Sequence, residues 1–137
     1  MLKGLGRVSL ISWAAWIGHG CILPGSQECI CDSSFHWKEA VILDAQAKPI
    51  DSAAIAVVRT ADGKPLKTPN QSYAGKGKAV IFDDGIVGEF PAGKPEMEIR
   101  VTASKGGKSG EELFVVTTTE CRCHFEVKSG RDTVEIR

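Results

Sequence analysis

Apolar and polar side chains alternate along much of the second half of this chain. In residues 96–103 (EMEIRVTA), Met97, Ile99, Val101 and Ala103 alternate with Glu98, Arg100 and Thr102. Period two places one set on each face of a strand, and the apolar set predicts a half-buried one. Residues 121–128 alternate in the same way, with Cys121, Cys123, Phe125 and Val127 sharing parity. Val134 and Ile136 predict a last strand within TVEIR. Residues 39–44, 53–60, 78–82 and 112–118 are short runs rich in Val, Ile or Phe, and they read as four further strands. Between the strands stand turn-forming stretches: AQAKP at 45–49, DDG at 83–85, KGGKSG at 105–110 and KSGRD at 128–132. Residues 61–77 lack periodicity and form the longest loop. No stretch keeps a helical period. About seven short strands with Gly/Pro turns predict an all-β sandwich or barrel.

The first twenty residues break this pattern. MLKGLGR carries Lys3 and Arg7 without an acid, VSLISWAAWI at 8–17 has no charge, and GHGC follows at 18–21. A basic start, a short apolar stretch and a small-residue exit predict a secretory signal over 1–20. The apolar run is about half of the roughly 20 residues that a spanning helix needs. Trp13 and Trp16 have no polar face opposite them, which disfavours a buried amphipathic helix. Gly18, Gly20 and Cys21 resemble a bacterial lipoprotein signal, in which the first mature residue is a diacylglycerol-modified cysteine. The resemblance departs at Gly18, where Leu is usual, and at His19, where a small residue is usual. It implies lipidation at Cys21, with ordinary cleavage as the alternative. Ile22 is not the Asp that the enteric sorting rule associates with inner-membrane retention.

An even set of cysteines is left once Cys21 is assigned to lipid. Cys29, Cys31, Cys121 and Cys123 form two Cys-x-Cys pairs near opposite ends of the mature chain. Spacing of two puts both sulfurs of a pair on one face of a strand. The expectation is two disulfides, Cys29–Cys121 with Cys31–Cys123 or the crossed version, because export compartments are oxidising. The alternative is a small metal-binding protein that uses the four thiolates, with His36 or His124 as substitutes. Zinc sites more often use Cys-x2-Cys, so no metal and no cofactor are expected. The predicted organisation is a signal at 1–20, a lipidated N-terminus and short tether at 21–37, and a β-domain at 38–137.

Two segments, AVILDAQAKPIDSAAIAVVRTADG at 40–63 and GEFPAGKPEMEIRVTASKGG at 88–107, resemble the carboxypeptidase regulatory-like domain. That family has a turn of the form D-x-x-G-x-P-I, matched by Asp44, Pro49 and Ile50, although position 47 lacks the glycine. Its Phe-x-Pro-Ala-Gly-like corner is matched by Phe90, Pro91, Ala92 and Gly93. The resemblance covers about a third of the chain and implies a seven-stranded Greek-key sandwich, transthyretin-like or Ig-like, in an accessory, adhesive or stabilising role. The related hydroxyisourate hydrolases end in Tyr-Arg-Gly-Ser and this chain ends in Val-Glu-Ile-Arg, so that activity is not expected.

Charge and candidate chemistry narrow the classes. The 137 residues carry 17 basic and 17 acidic side chains. Without Lys3 and Arg7 the balance is 15 against 17, with no surplus to neutralise phosphates, so nucleic acid is not an expected partner. His36 reads as a packing residue near the tether, and His124 as facing solvent or the second sheet. Asp83-Asp84-Gly85 reads as a turn rather than a calcium loop. Ser109 and Ser129 lie in turns without a nucleophile elbow. Gly75, Lys76, Gly77 and Lys78 lack the P-loop spacing. The function expected from the sequence is a non-enzymatic, lipid-anchored protein of the bacterial envelope, at the outer membrane or periplasmic face. It would bind or brace a protein partner through a sheet edge or the 61–77 loop, or serve as a structural accessory subunit.

Overall fold

A computed structural model describes residues 29–67 and 73–137. The signal segment, Cys21 and residues 68–72 lie outside the described residues. The strands are β1 (Trp37–Leu43), β2 (Ala54–Arg59), β3 (Tyr73–Gly75), β4 (Lys78–Asp83), β5 (Glu96–Lys105), β6 (Lys108–Thr118), β7 (Phe125–Ser129) and β8 (Thr133–Glu135), with a 3₁₀ helix at Asp84–Glu89 after β4. They form two four-stranded sheets, ordered β3-β4-β1-β8 and β2-β5-β6-β7. The chain is an all-β sandwich. The eighth strand, β3, falls inside the segment read as loop from the sequence.

The alternating faces meet in one core. Met97, Ile99, Val101 and Ala103 of β5 are buried, as are Val134 and Ile136 at the C-terminus. Phe82 of β4 lies edge-on to Phe114 of β6 and to Phe125 of β7, with ring centroids 5.5 and 5.2 Å apart. Such edge-to-face contacts add to the stabilisation from buried area. Gly110 is required where β6 passes β8: a Cβ there would stand 1.9 Å from the carbonyl oxygen of Glu135. The corner Phe90–Gly93 turns with the Lys94 amide donating to the Pro91 carbonyl at 3.1 Å, and Gly93 has φ +70.

Three expectations are corrected. The predicted strand over 121–128 is only β7, because residues 121–124 form a turn in which Arg122 has φ 49. Cys121 and Cys123 therefore share no strand face with Phe125. The 61–77 loop is shorter than its composition implies: Leu66 is buried, its amide donates to the Val57 carbonyl at 2.8 Å, and Pro65 pairs with Val58. Asp83-Asp84-Gly85 starts a helix instead of a simple turn, with the Asp83 side chain capping it by accepting from the Gly85 amide at 2.8 Å.

Candidate functional site

The end of the sandwich where β1 begins gathers residues from three distant stretches. The turn between β6 and β7 projects Cys121 and Cys123. Disulfides join Cys29 to Cys121 and Cys31 to Cys123, with Cα–Cα distances of 5.2 and 5.4 Å. Of the two expected pairings the uncrossed one is present, but the N-terminal partners lie outside any strand. Residues 29–36 thus form a strap pinned to the domain, not the free tether read from composition. All four sulfurs are paired, so this structure offers no thiolate for the alternative metal site.

The strap delivers Asp32, Ser34 and His36 to the same corner. Asp32 Oδ1 accepts from the Ser34 amide at 2.9 Å and also from the Ser34 hydroxyl, a local Asx-type turn. The His36 amide donates to Asp84 Oδ2 at 2.8 Å, and the Asp84 amide donates to the His36 carbonyl at 3.0 Å. Capping by Asp83 leaves the neighbouring Asp84 carboxylate free for this work. Asp84 also receives the Phe125 amide at 3.4 Å and His124 Nδ1 at 2.8 Å. His124 Nε2 reaches Asp32 Oδ1 at 3.0 Å. The two imidazoles stack, with centroids 4.2 Å apart and planes 25° from parallel.

Two carboxylates on one ring decide its charge. The His124 pKa is raised, first by the hydrogen bond to Asp84 and then by that to Asp32, against an opposing desolvation. Asp32 is held down to about 2, chiefly by the Ser34 hydroxyl and amide and then by His124. Hydrogen bonding to the charged form is the common cause. Both nitrogens of His124 face carboxylate oxygens, an arrangement that favours the imidazolium, the form without a lone pair.

That protonation limits the chemistry. Ser34 Oγ, His124 Nε2 at 3.5 Å and Asp84 behind Nδ1 have the order of a nucleophile–base–carboxylate set. A base needs a lone pair, and the Ser34 proton is already given to Asp32. His36 Nε2 also lies 3.2 Å from Ser34 Oγ. Donor atoms of His36, Asp84 and His124 lie within 4.8 Å of one another, close enough to raise the question of a metal ion. A metal binds imidazole in the ring plane, at about 2.0–2.1 Å from nitrogen. Two rings stacked at 4.2 Å and 25° have planes that meet far outside that reach. One ring would have to turn before both could bind a single ion. In this geometry the cluster is a charged clasp on the strap.

Beside the clasp runs a groove of about 400 Å³, lined by Phe35, His36, Trp37, Lys38, Phe125 and Val127. Phe125 and Val127 come from β7, so the groove lies between the sheets. No helix among the described residues is long and apolar enough to cross a membrane. Among the sequence-predicted residues, the four cysteines come together and Cys21 lies outside the described residues. Asp32 and Ser34 carried no sequence signal, because their role depends on partners far along the chain. Asp84 was visible only as part of a turn motif. No protein-family model, curated protein or solved structure matches this chain.

Proposed function

We propose that this chain is an exported, lipid-anchored and non-enzymatic module of the bacterial envelope, held to a membrane through Cys21. The observation that supports the exported part of this reading is the pair of disulfides joining Cys29 and Cys31 to Cys121 and Cys123; the anchor at Cys21 rests on the resemblance of residues 1–21 to a lipoprotein signal. Structural disulfides belong to oxidising compartments, in agreement with a secretory signal over 1–20. The strap they fix begins eight positions after Cys21. His124 held between two carboxylates, with its pKa raised, supports a structural reading of the Ser34–His124–Asp84 set over a catalytic one.

The sandwich is read here as a carboxypeptidase regulatory-like accessory or adhesive domain. Ala47 supports this. It has φ 59, and it stands where the D-x-x-G-x-P-I pattern has glycine. A protein partner in the envelope would add a strand to an open edge, at β2 or β7 of one sheet or β3 or β8 of the other.

Fractionation of cells tests the anchor. The natural chain is expected in the membrane fraction with the mass of a diacylglycerol-modified, leader-free protein. Cys21→Ser should move to the soluble envelope fraction. If the Cys21→Ser chain stays membrane-bound and the natural chain has no lipid mass, the anchor assignment fails.

A further inference from the structure

The described residues expose four large apolar side chains: Ile30 at 87%, Phe35 at 58%, Trp37 at 56% and Leu113 at 49%. Three of them fall within residues 30–37. We propose that Ile30, Phe35, Trp37 and the groove they adjoin form a bilayer-docking face, which lays this end of the sandwich against the headgroup region of the anchoring membrane. The proposal rests on the envelope-anchor reading and adds the surface that meets the lipid.

Clustered apolar exposure on a small domain calls for a covering surface. The disulfides on either side of Ile30, and the Asp84 bonds to the backbone of His36, hold the strap in place. Its apolar side chains therefore cannot fold back into the core, which Phe82, Phe114 and Phe125 already fill. The groove wall is continued by Phe125 and Val127. Lys38 lines it too, and its ammonium is drawn to Asp132. Aromatic rings with a polar edge favour the bilayer interface, and Trp most of all.

Chain length selects a membrane over other occupants. Cys21 and Cys29 are eight residues apart, which spans at most about 27 Å when fully extended. An acylated Cys21 would keep the strap end within that distance of the bilayer at all times. At the opposite end of the sandwich Asp44, Gln46, Asp51, Lys105 and Lys108 surround Pro49 and Ile50. None of the four exposed large apolar side chains belongs to that end, whereas the strap end carries Ile30, Phe35 and Trp37 beside the exposed Asp32.

Trp37 is a built-in reporter, because the other two tryptophans, Trp13 and Trp16, lie in the predicted leader. The experiment uses the leader-free chain in two forms, acylated and Cys21→Ser, both exported so that the disulfides are oxidised. Each is mixed with vesicles of phosphatidylethanolamine and phosphatidylglycerol carrying bromine at shallow acyl positions. Trp37 emission should shift to the blue and be quenched in both forms, with more lipid needed for Cys21→Ser. Ile30→Ser and Phe35→Ser, made in the Cys21→Ser form, should each lower vesicle partitioning about tenfold.

The proposal is overturned if Trp37 stays unquenched with vesicles in both forms. It is equally overturned if emission shifts without vesicles as protein concentration rises, which would mean a second copy covers the face. A blue shift with a purified envelope protein but not with lipid would assign the face to a protein partner instead. Failure of the anchor reading looks different: no lipid mass on Cys21, while the Cys21→Ser chain still binds vesicles.

Discussion

His124, in the turn between β6 and β7, meets Asp84 through Nδ1 and Asp32 through Nε2, and these two contacts tie the strap to a group that titrates. Its folded pKa is raised above 6.5, chiefly by Asp84. Its contribution to stability is therefore complete below pH 6.5 and is lost as pH climbs through the folded value. Asp32 runs the other way. Its pKa is lowered from 3.8 to about 2, so its contribution is present above 3.8 and disappears as pH falls towards 2. The strap is held best between these limits. Urea unfolding at a series of pH values should show the midpoint falling on the alkaline side of 6.5 in the natural chain, and a flat limb in His124→Gln. An equal fall in the variant would assign the pH dependence to another group. Asp32, Ser34 and Asp84 could not be read as a site from the sequence, since Asp32 meets His124 across 92 positions and Asp84 meets it across 40.

Among the elements, most strands and the turns at 45–49, 105–110 and 128–132 were legible, whereas β3 and the tight turn at 121–124 were not. β5 buries the four residues that its alternation nominates, because a period-two pattern needs only one buried face to be realised. The same pattern over 121–128 misled, because alternation says nothing about where a turn tightens. There the left-handed Arg122 reverses the chain after its amide donates to the Thr119 carbonyl at 2.9 Å. The turn after β1 shows the converse. Asp44 Oδ1 accepts from the amides of Gln46 and Lys48 at 2.9 and 2.8 Å, and Ala47 is driven to φ 59. A left-handed conformation costs a residue with a Cβ about 1–2 kcal/mol. Ala47→Gly removes that cost and adds some unfolded-state entropy. It should stabilise the domain by about 0.5–1 kcal/mol, seen as a higher melting temperature. A lower one would mean that the Ala47 methyl makes a contact worth more than the strain.

For the whole molecule, the two disulfides act in parallel. Each spans 92 positions, so the first to form removes a large loop entropy, about 4–5 kcal/mol in the chain-entropy model. The second then closes only a small ring through residues 29–31 and 121–123, worth about 2 kcal/mol by the same relation. Removing either bridge alone, as Cys29→Ala/Cys121→Ala or Cys31→Ala/Cys123→Ala, should cost about 2 kcal/mol in urea unfolding. Removing both should cost about 6–7 kcal/mol. A double removal no worse than the sum of the singles would show that the strap is not the long-range closure the fold implies. Breaking the strap should also release Ile30 and Phe35 from their fixed presentation beside the groove, while Trp37 stays paired to Asp83 in the sheet.

The sequence by itself determined the strand content, the buried face of strands such as β5 and the two Cys-x-Cys pairs, because these follow from local periodicity and spacing. Only the tertiary structure decided that the bridges are uncrossed, that residues 29–36 are a pinned strap, and that His36, Asp84 and His124 converge. Those features arise from contacts between residues tens of positions apart, and no local pattern encodes which distant side chains the packing of two sheets will bring together.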